Sequence, residues 1–200
     1  MGAFYHDKQR ELQDAFDTRR LADRVHEVIV HDVIADEERE FIESRDMFFL
    51  STVDANGFPT VSYKGGAPGF VRVLDGQTIA FPSYDGNGMF MSMGNMRANA
   101  NIGMLFIDFE NPHRLRLHGT AEVRQEDPLL SEYHEAQLIV RVTVQNMFIN
   151  CPRYIHRMQK VEQSEFVPQP GCETPAPEWK SLEVVQDVLP ESDKQKIRER

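Results

Sequence analysis

Lys64 lies in a run that reads Ser62-Tyr63-Lys64-Gly65-Gly66-Ala67-Pro68-Gly69, with strand-like sequence on both sides. Glycines let backbone N–H groups approach a ligand closely, and successive amides in a bend can cradle an anion. A lysine in such a bend adds a mobile positive point charge. The same run also reads as an ordinary loop with a solvated lysine, and the residues alone leave both readings open. One strand later comes a second polar cluster, Tyr84-Asp85-Gly86-Asn87, followed by Ser92 and Asn95 around the start of a helix. A helix start presents unpaired N–H groups to an anion, although Asn and Ser also serve there as plain caps and turn formers. Two donor-rich bends on neighbouring strands point to a planar ligand that carries a phosphate.

Other chemistry finds little support in the chain. Gly65-Gly66-Ala67-Pro68-Gly69 has neither the spacing nor the following helix of a nucleotide-binding fingerprint. Arg72 stands either on the Lys64 side or in a surface pair. Cys151 and Cys172 form no CxxC pair, and the seven histidines show no HExxH spacing, so no metal site is expected. Cys151, before Pro152, reads as a buried structural cysteine. The sharper alternatives are a nucleophile or a haem ligand, with His118, His134 or His156 as partners. No Gly-x-Ser-x-Gly elbow occurs. No residue is therefore assigned a catalytic role, and the chain favours chemistry borrowed from an organic cofactor.

The elements that must position these residues follow from periodicity. Residues 8–30 favour helix with a break near Thr18, because Leu21, Val25, Val28 and Ile29 share one face. Asp36-Glu37-Glu38 opens another helix, where carboxylates complement the positive end of its dipole. Strands are expected at 48–53, 58–63, 70–74 and 78–81, and Asp54-Ala55-Asn56-Gly57 forms the first turn. Residues 89–98 read as helix. The apolar run 102–109 reads as a strand buried on both faces, and 115–123 as one with a single wet face. Asp127-Pro128 opens a helix carrying Leu129, Leu130, Tyr133 and Ala136, and the alternation around Val140, Val142 and Val144 closes the set as a last strand. Beyond about Glu165 the composition is Pro-rich and loop-like up to the single tryptophan, Trp179. Residues 191–200 read as a frayed helix or tail. The expectation is a mainly β protein with helical decoration (α+β), an antiparallel barrel of six or seven strands. It divides into a helical lead-in (1–46) packed on the barrel, a barrel core (47–160) and a C-terminal extension (161–200).

Size and charge narrow the class. Two hundred residues with 40% hydrophobic content suffice for one core. The net charge of −10 argues against nucleic acid as a partner. No apolar run has membrane-spanning length and no signal peptide is visible, so a cytoplasmic protein off the membrane is expected.

Taken together, Phe41-Ile42-Glu43-Ser44-Arg45-Asp46-Met47-Phe48-Phe49-Leu50-Ser51-Thr52, the bend Ser62-x-Lys64-Gly65-Gly66-x-Pro68-Gly69-Phe70-Val71, Tyr84-x-Gly86-Asn87 with Ser92 and Asn95, and Asn150-Cys151-Pro152-Arg153-Tyr154-Ile155 resemble the pyridoxamine 5′-phosphate oxidase-related FMN-binding proteins. The match runs in order over roughly residues 18–160. The resemblance implies an FMN-binding split β-barrel, a homodimer with FMN at its interface, and an oxidoreductase acting on a small molecule. It implies that Ser62, Lys64 and Gly65, with Tyr63 in the same bend, hold the phosphate end, and that Asn87, Ser92 and Asn95 close it. Phe81, Pro82 and Tyr84 would lie near the isoalloxazine, and Arg153 and Tyr154 would reach in from the partner subunit. The chain departs from true pyridoxamine-phosphate oxidases in lacking their longer basic strand and their C-terminal Arg/His cluster. Oxidation of a vitamin B6 phosphate is therefore not implied. The alternative function is a barrel that binds or stores flavin, deazaflavin or haem without turnover.

Overall fold

The computed structural model of the chain describes residues 4–198. Seven strands form one antiparallel sheet: β1 (Met47–Val53), β2 (Pro59–Gly65), β3 (Arg72–Val73), β4 (Thr78–Ser83), β5 (Asn101–Asp108), β6 (His113–Arg124) and β7 (Leu138–Ile149). Their spatial order is β2-β1-β5-β6-β7-β4-β3. The β1–β2 hairpin turns where Asn-Gly predicts it. Gly57 takes a φ of 87°, and the Asp54 carboxylate accepts from the N–H groups of Asn56 and Phe58, both at 2.8 Å. β1 and β4 lie near opposite ends of the strand order, yet the Phe48 and Phe81 rings meet edge-on with centroids 5.0 Å apart. Phe106 lies 5.3 Å and Phe70 5.8 Å from Phe48. The sheet therefore curls round this aromatic core into the split barrel. The helix α3 (Asp36–Ser44) closes the gap beside β3, because Arg39 donates to the Val73 carbonyl (2.6 Å) and Glu43 accepts from the Val73 N–H (2.9 Å).

The two helices before it, α1 (Asp7–Ala15) and α2 (Arg19–Ile29), break at Asp17 and Thr18 as expected, but neither buries a residue. Several other elements differ from the sequence reading. β5 buries Ile102, Met104 and Phe106 but leaves Leu105 and Ile107 half-buried, because a single curled sheet gives each strand one core face. The expected strand at 70–74 contracts to two residues, paired with Ala80 and Ile79 of β4 and bonded to α3 through Val73. The helix expected from Asp127 is only a 3-10 turn, Pro128–Glu132. Its chain is drawn back onto the sheet, where Tyr133 packs with Ala80 and Ile139. Cys151 is exposed and not buried, since β7 ends at Ile149 and the chain leaves the barrel there.

Two features of β6 and β7 carry testable energy. Asp127 is 7% exposed and accepts from Arg141 at 2.6 and 2.9 Å and from the Leu129 N–H at 3.0 Å. The Arg141 hydrogen bonds outweigh the cost of burial and hold its carboxyl at about 2, below the ordinary 3.8. A carboxylate depressed in the fold stabilises it above the unfolded value, and that stability is lost as pH falls from 3.8 through about 2. Asp127→Asn is expected to cost about 2 kcal/mol at neutral pH and almost nothing in strong acid. Denaturant titrations at the two pH values check this. In the β-bulge at His118/Gly119, a Cβ on Gly119 would lie 2.5 Å from the Thr143 carbonyl oxygen. Backbone cannot swing aside, so Gly119→Ala is expected to cost on the order of 1–3 kcal/mol in the same assay.

Candidate functional site

β2 sorts its residues by alternation. Val61 and Tyr63 point outward and are exposed, whereas Ser62 and Lys64 point the other way, opposite Leu50 and Phe48 of β1, and are half-buried. Lys64 opens into a cleft of about 830 Å³ that it shares with Tyr84, Asn87 and Ser92. Among the described residues its ammonium has no ion pair and no hydrogen bond, and burial pulls its pKa down. A half-buried cation without a counter-charge is costly, and an anion in the cleft relieves that cost.

The start of α4 (Met91–Ala98) lies at the same cleft. Its N-cap, Phe90, takes a left-handed φ of 47° and gives no side-chain cap, so the leading N–H groups keep their partial positive charge. Ser92 in that first turn bonds Ser62 across to β2, with 3.1 Å between the hydroxyls. The Asn87 side chain accepts from the Met89 N–H (3.1 Å) and shapes the preceding loop. Asn95, one turn on, donates to Thr52 (3.1 Å), which in turn bonds Thr60 (2.9 Å). This polar contact clamps α4 to the β1–β2 hairpin; Asn95 does not line the cleft. Burial raises the Tyr84 phenol above its ordinary pKa.

The remaining expected residues lie elsewhere. Tyr63 and Gly65 line a separate cleft of about 680 Å³, on the far face from Lys64 because one step along a strand crosses the sheet, and Gly66, past the end of β2, lines it too. In that cleft the cations are already matched, Arg45 with Asp108 (3.0 Å) and Lys160 with Asp46 (2.6 Å). Gly66 is bare to admit the Phe70 ring, which a Cβ would meet at 2.4 Å. Gly66 is thus a packing device, and of this run Ser62 and Lys64 face the helix start. Phe81 and Pro82 are buried and absent from the lining of the Lys64 cleft. Arg153 and Tyr154 follow the end of β7, exposed, the guanidinium 6.0 Å from the ring centroid. Arg72 is spent on Glu132 and lies 4.7 Å from the Tyr133 ring centroid.

Sequence reasoning left one wall open, since the Pro-rich extension could either dock through Trp179 or hang free. Trp179, Lys180, Val188 and Leu189 of the C-terminal extension line the Lys64 cleft. The one available signal was a lone tryptophan within Pro-rich sequence, which says nothing of where it docks.

Residues 34–153 match the family described as Pyridoxamine 5'-phosphate oxidase. No curated protein matches the chain. Among solved structures, a variant of HupZ from Group A Streptococcus aligns at 22% identity and a TM-score of 0.48, over 58% of this chain and 99% of that one. A putative pyridoxamine 5'-phosphate oxidase from Lactobacillus delbrueckii aligns at 20% identity and 0.48, over 59% and 95%. An FMN-binding protein from Syntrophomonas wolfei aligns at 11% identity and 0.46, over 70% and 97%.

Proposed function

The chain belongs to the pyridoxamine 5′-phosphate oxidase family, and from that premise we propose that it binds FMN and moves electrons between the flavin and a small molecule. The observation that carries the reading is the pairing of a half-buried, unmatched Lys64 with the uncapped start of α4 in one cleft. A cation and free amides together suit a phosphate dianion. A cleft of about 830 Å³ is within the usual range for a ligand of this size. Its apolar side, with Trp179, Val188 and Met91, suits a flat ring.

In this reading Lys64 and the first N–H groups of α4 hold the phosphate, with the Ser62 and Ser92 hydroxyls beside them. Asn87 and Asn95 fix the loop and helix that present those groups. Tyr84 and the apolar residues exclude water from the ring. When bound, the flavin supplies the redox chemistry, and no side chain need act as a nucleophile. The chain acts as a homodimer in which the outward apolar residues of the sheet, Val61, Tyr63, Leu105 and Ile107, meet a second copy, bringing Arg153 and Tyr154 towards the partner's cleft. Haem is less well served: the lining of the Lys64 cleft includes neither a histidine nor a cysteine. No helix among the described residues is long and apolar enough to cross a membrane.

Freshly purified protein tests the reading through its absorption spectrum and the mass of its non-covalent ligand. Flavin bands with the mass of FMN are the expected result. A Soret band, or a ligand without a phosphate, overturns it. Bleaching of the bound flavin by a nicotinamide donor supports electron transfer, whereas a flavin that no donor reduces leaves a binding protein.

A further inference from the structure

The C-terminal extension meets the cleft at one buried cation. Lys180 is 2% exposed, and its ammonium lies 2.6 Å from the Asp85 carboxylate and 2.7 Å from that of Asp193. Asp85 belongs to the loop after β4 that bounds the Lys64 cleft, and Asp193 belongs to the last helix, α5 (Glu191–Arg198). Lys180 thereby joins the barrel to the end of the chain. The joint is braced on both sides: Gln137 donates to Asp85 (3.3 Å), and Gln186 donates to the Lys180 carbonyl (2.7 Å). Other ties of the extension, His134 to the Cys172 carbonyl (3.1 Å) and the Thr174 N–H to Glu135 (3.1 Å), lie outside the lining of the cleft.

One ammonium between two carboxylates leaves no positive charge to offer a ligand, so Lys180 is not a second phosphate contact. Its contribution is mechanical. Burial pulls its pKa down, but the hydrogen bonds to Asp193 and Asp85 more than offset this and raise it above 10.5. The joint's contribution from Lys180 is therefore fully present at neutral pH and is lost only in strong alkali. A buried pair is also brittle, since removing one partner leaves the other charge uncompensated.

We propose that Lys180 is a positioning residue for the cofactor: by gripping Asp85 and Asp193 it holds residues 179–193 as a strap along the cleft, and bound ligand leaves only when the strap lets go. This rests on the reading of the cleft as an FMN site. Its test is the dissociation rate of FMN from the loaded full-length protein, followed by the return of free-flavin fluorescence after dilution. Trp179 is the chain's only tryptophan, so its emission reports the strap alone. In Lys180→Gln and Asp193→Asn, FMN is expected to leave at least ~tenfold faster. Quenching of Trp179 by flavin should weaken in both while far-UV circular dichroism stays that of the wild type. Asp193→Asn keeps the Asp85 pair and carries the test if Lys180→Gln fails to fold. Unchanged release and quenching in a folded variant overturn the strap and leave the flavin site standing. A wild-type protein that binds no FMN overturns the site and the strap together.

Discussion

Lys64→Met is expected to weaken FMN binding by about ten- to a hundredfold while leaving riboflavin binding nearly unchanged. The two ligands share the ring and differ in the phosphate, so the ratio of their affinities isolates the contact that Lys64 makes. A charge-assisted hydrogen bond contributes on the order of 1.5–3 kcal/mol, which sets the size of the change. Methionine keeps the length of the stem and removes the charge, so the half-buried side chain still fills its place in β2. Because the free protein holds that charge without a partner, the variant is expected to be no less stable than the wild type. The pH dependence has a definite sign. Burial lowers the Lys64 pKa, so wild-type affinity for FMN falls as pH rises through that lowered value, and the variant shows no such alkaline loss. Titrations of both flavins by fluorescence quenching, at neutral and alkaline pH, measure all of this.

Ser92→Asp is expected to have the larger effect and to move binding and stability in opposite directions. Ser92 is the second residue of α4 and lines the cleft beside Lys64. A carboxylate there meets the positive end of the helix, a gain of roughly 0.3–1 kcal/mol. It also supplies the counter-charge that Lys64 lacks. The free protein should therefore melt at a higher temperature. An incoming phosphate dianion meets a fixed negative charge and a neutralised lysine, so the protein should lose FMN during purification, a drop of more than about a hundredfold. Ser92→Ala removes the hydroxyl that bonds Ser62 and stands beside the phosphate, and is expected to shift affinity a few-fold. Retention of FMN by Ser92→Asp at wild-type affinity would place the phosphate elsewhere.

How much of this was legible in the chain depended on how local the cause was. The β1–β2 hairpin was readable because Asp54 and Gly57 set the turn with their own side chain and backbone. β6 was readable because its wet face alternates with its dry one. The shortness of β3 was not, since Arg39 and Glu43 of α3 hold it from 30 or more positions away. The turn after Asp127 likewise answers to Arg141, on the next strand. At the site, the grouping of Lys64 with Tyr84, Asn87 and Ser92 followed from a family-like spacing. Gly65 was grouped with Lys64 on that spacing, whereas strand alternation puts it on the face away from Lys64, where it lines the other cleft. The place of the C-terminal wall was not legible: Trp179 left a docked and a free extension equally open, and Lys180 and Asp85 are 95 positions apart with nothing local to mark either as a partner.

The central claim is that Lys64 and the start of α4 receive the phosphate of one FMN. A crystal structure of the protein with FMN bound tests it most directly. The account predicts phosphate oxygens at ion-pair distance from the Lys64 Nζ and at hydrogen-bond distance from the first N–H groups of α4. A phosphate lodged in the other cleft, beside Arg45 and Lys160, with Lys64 left unmatched, would contradict it.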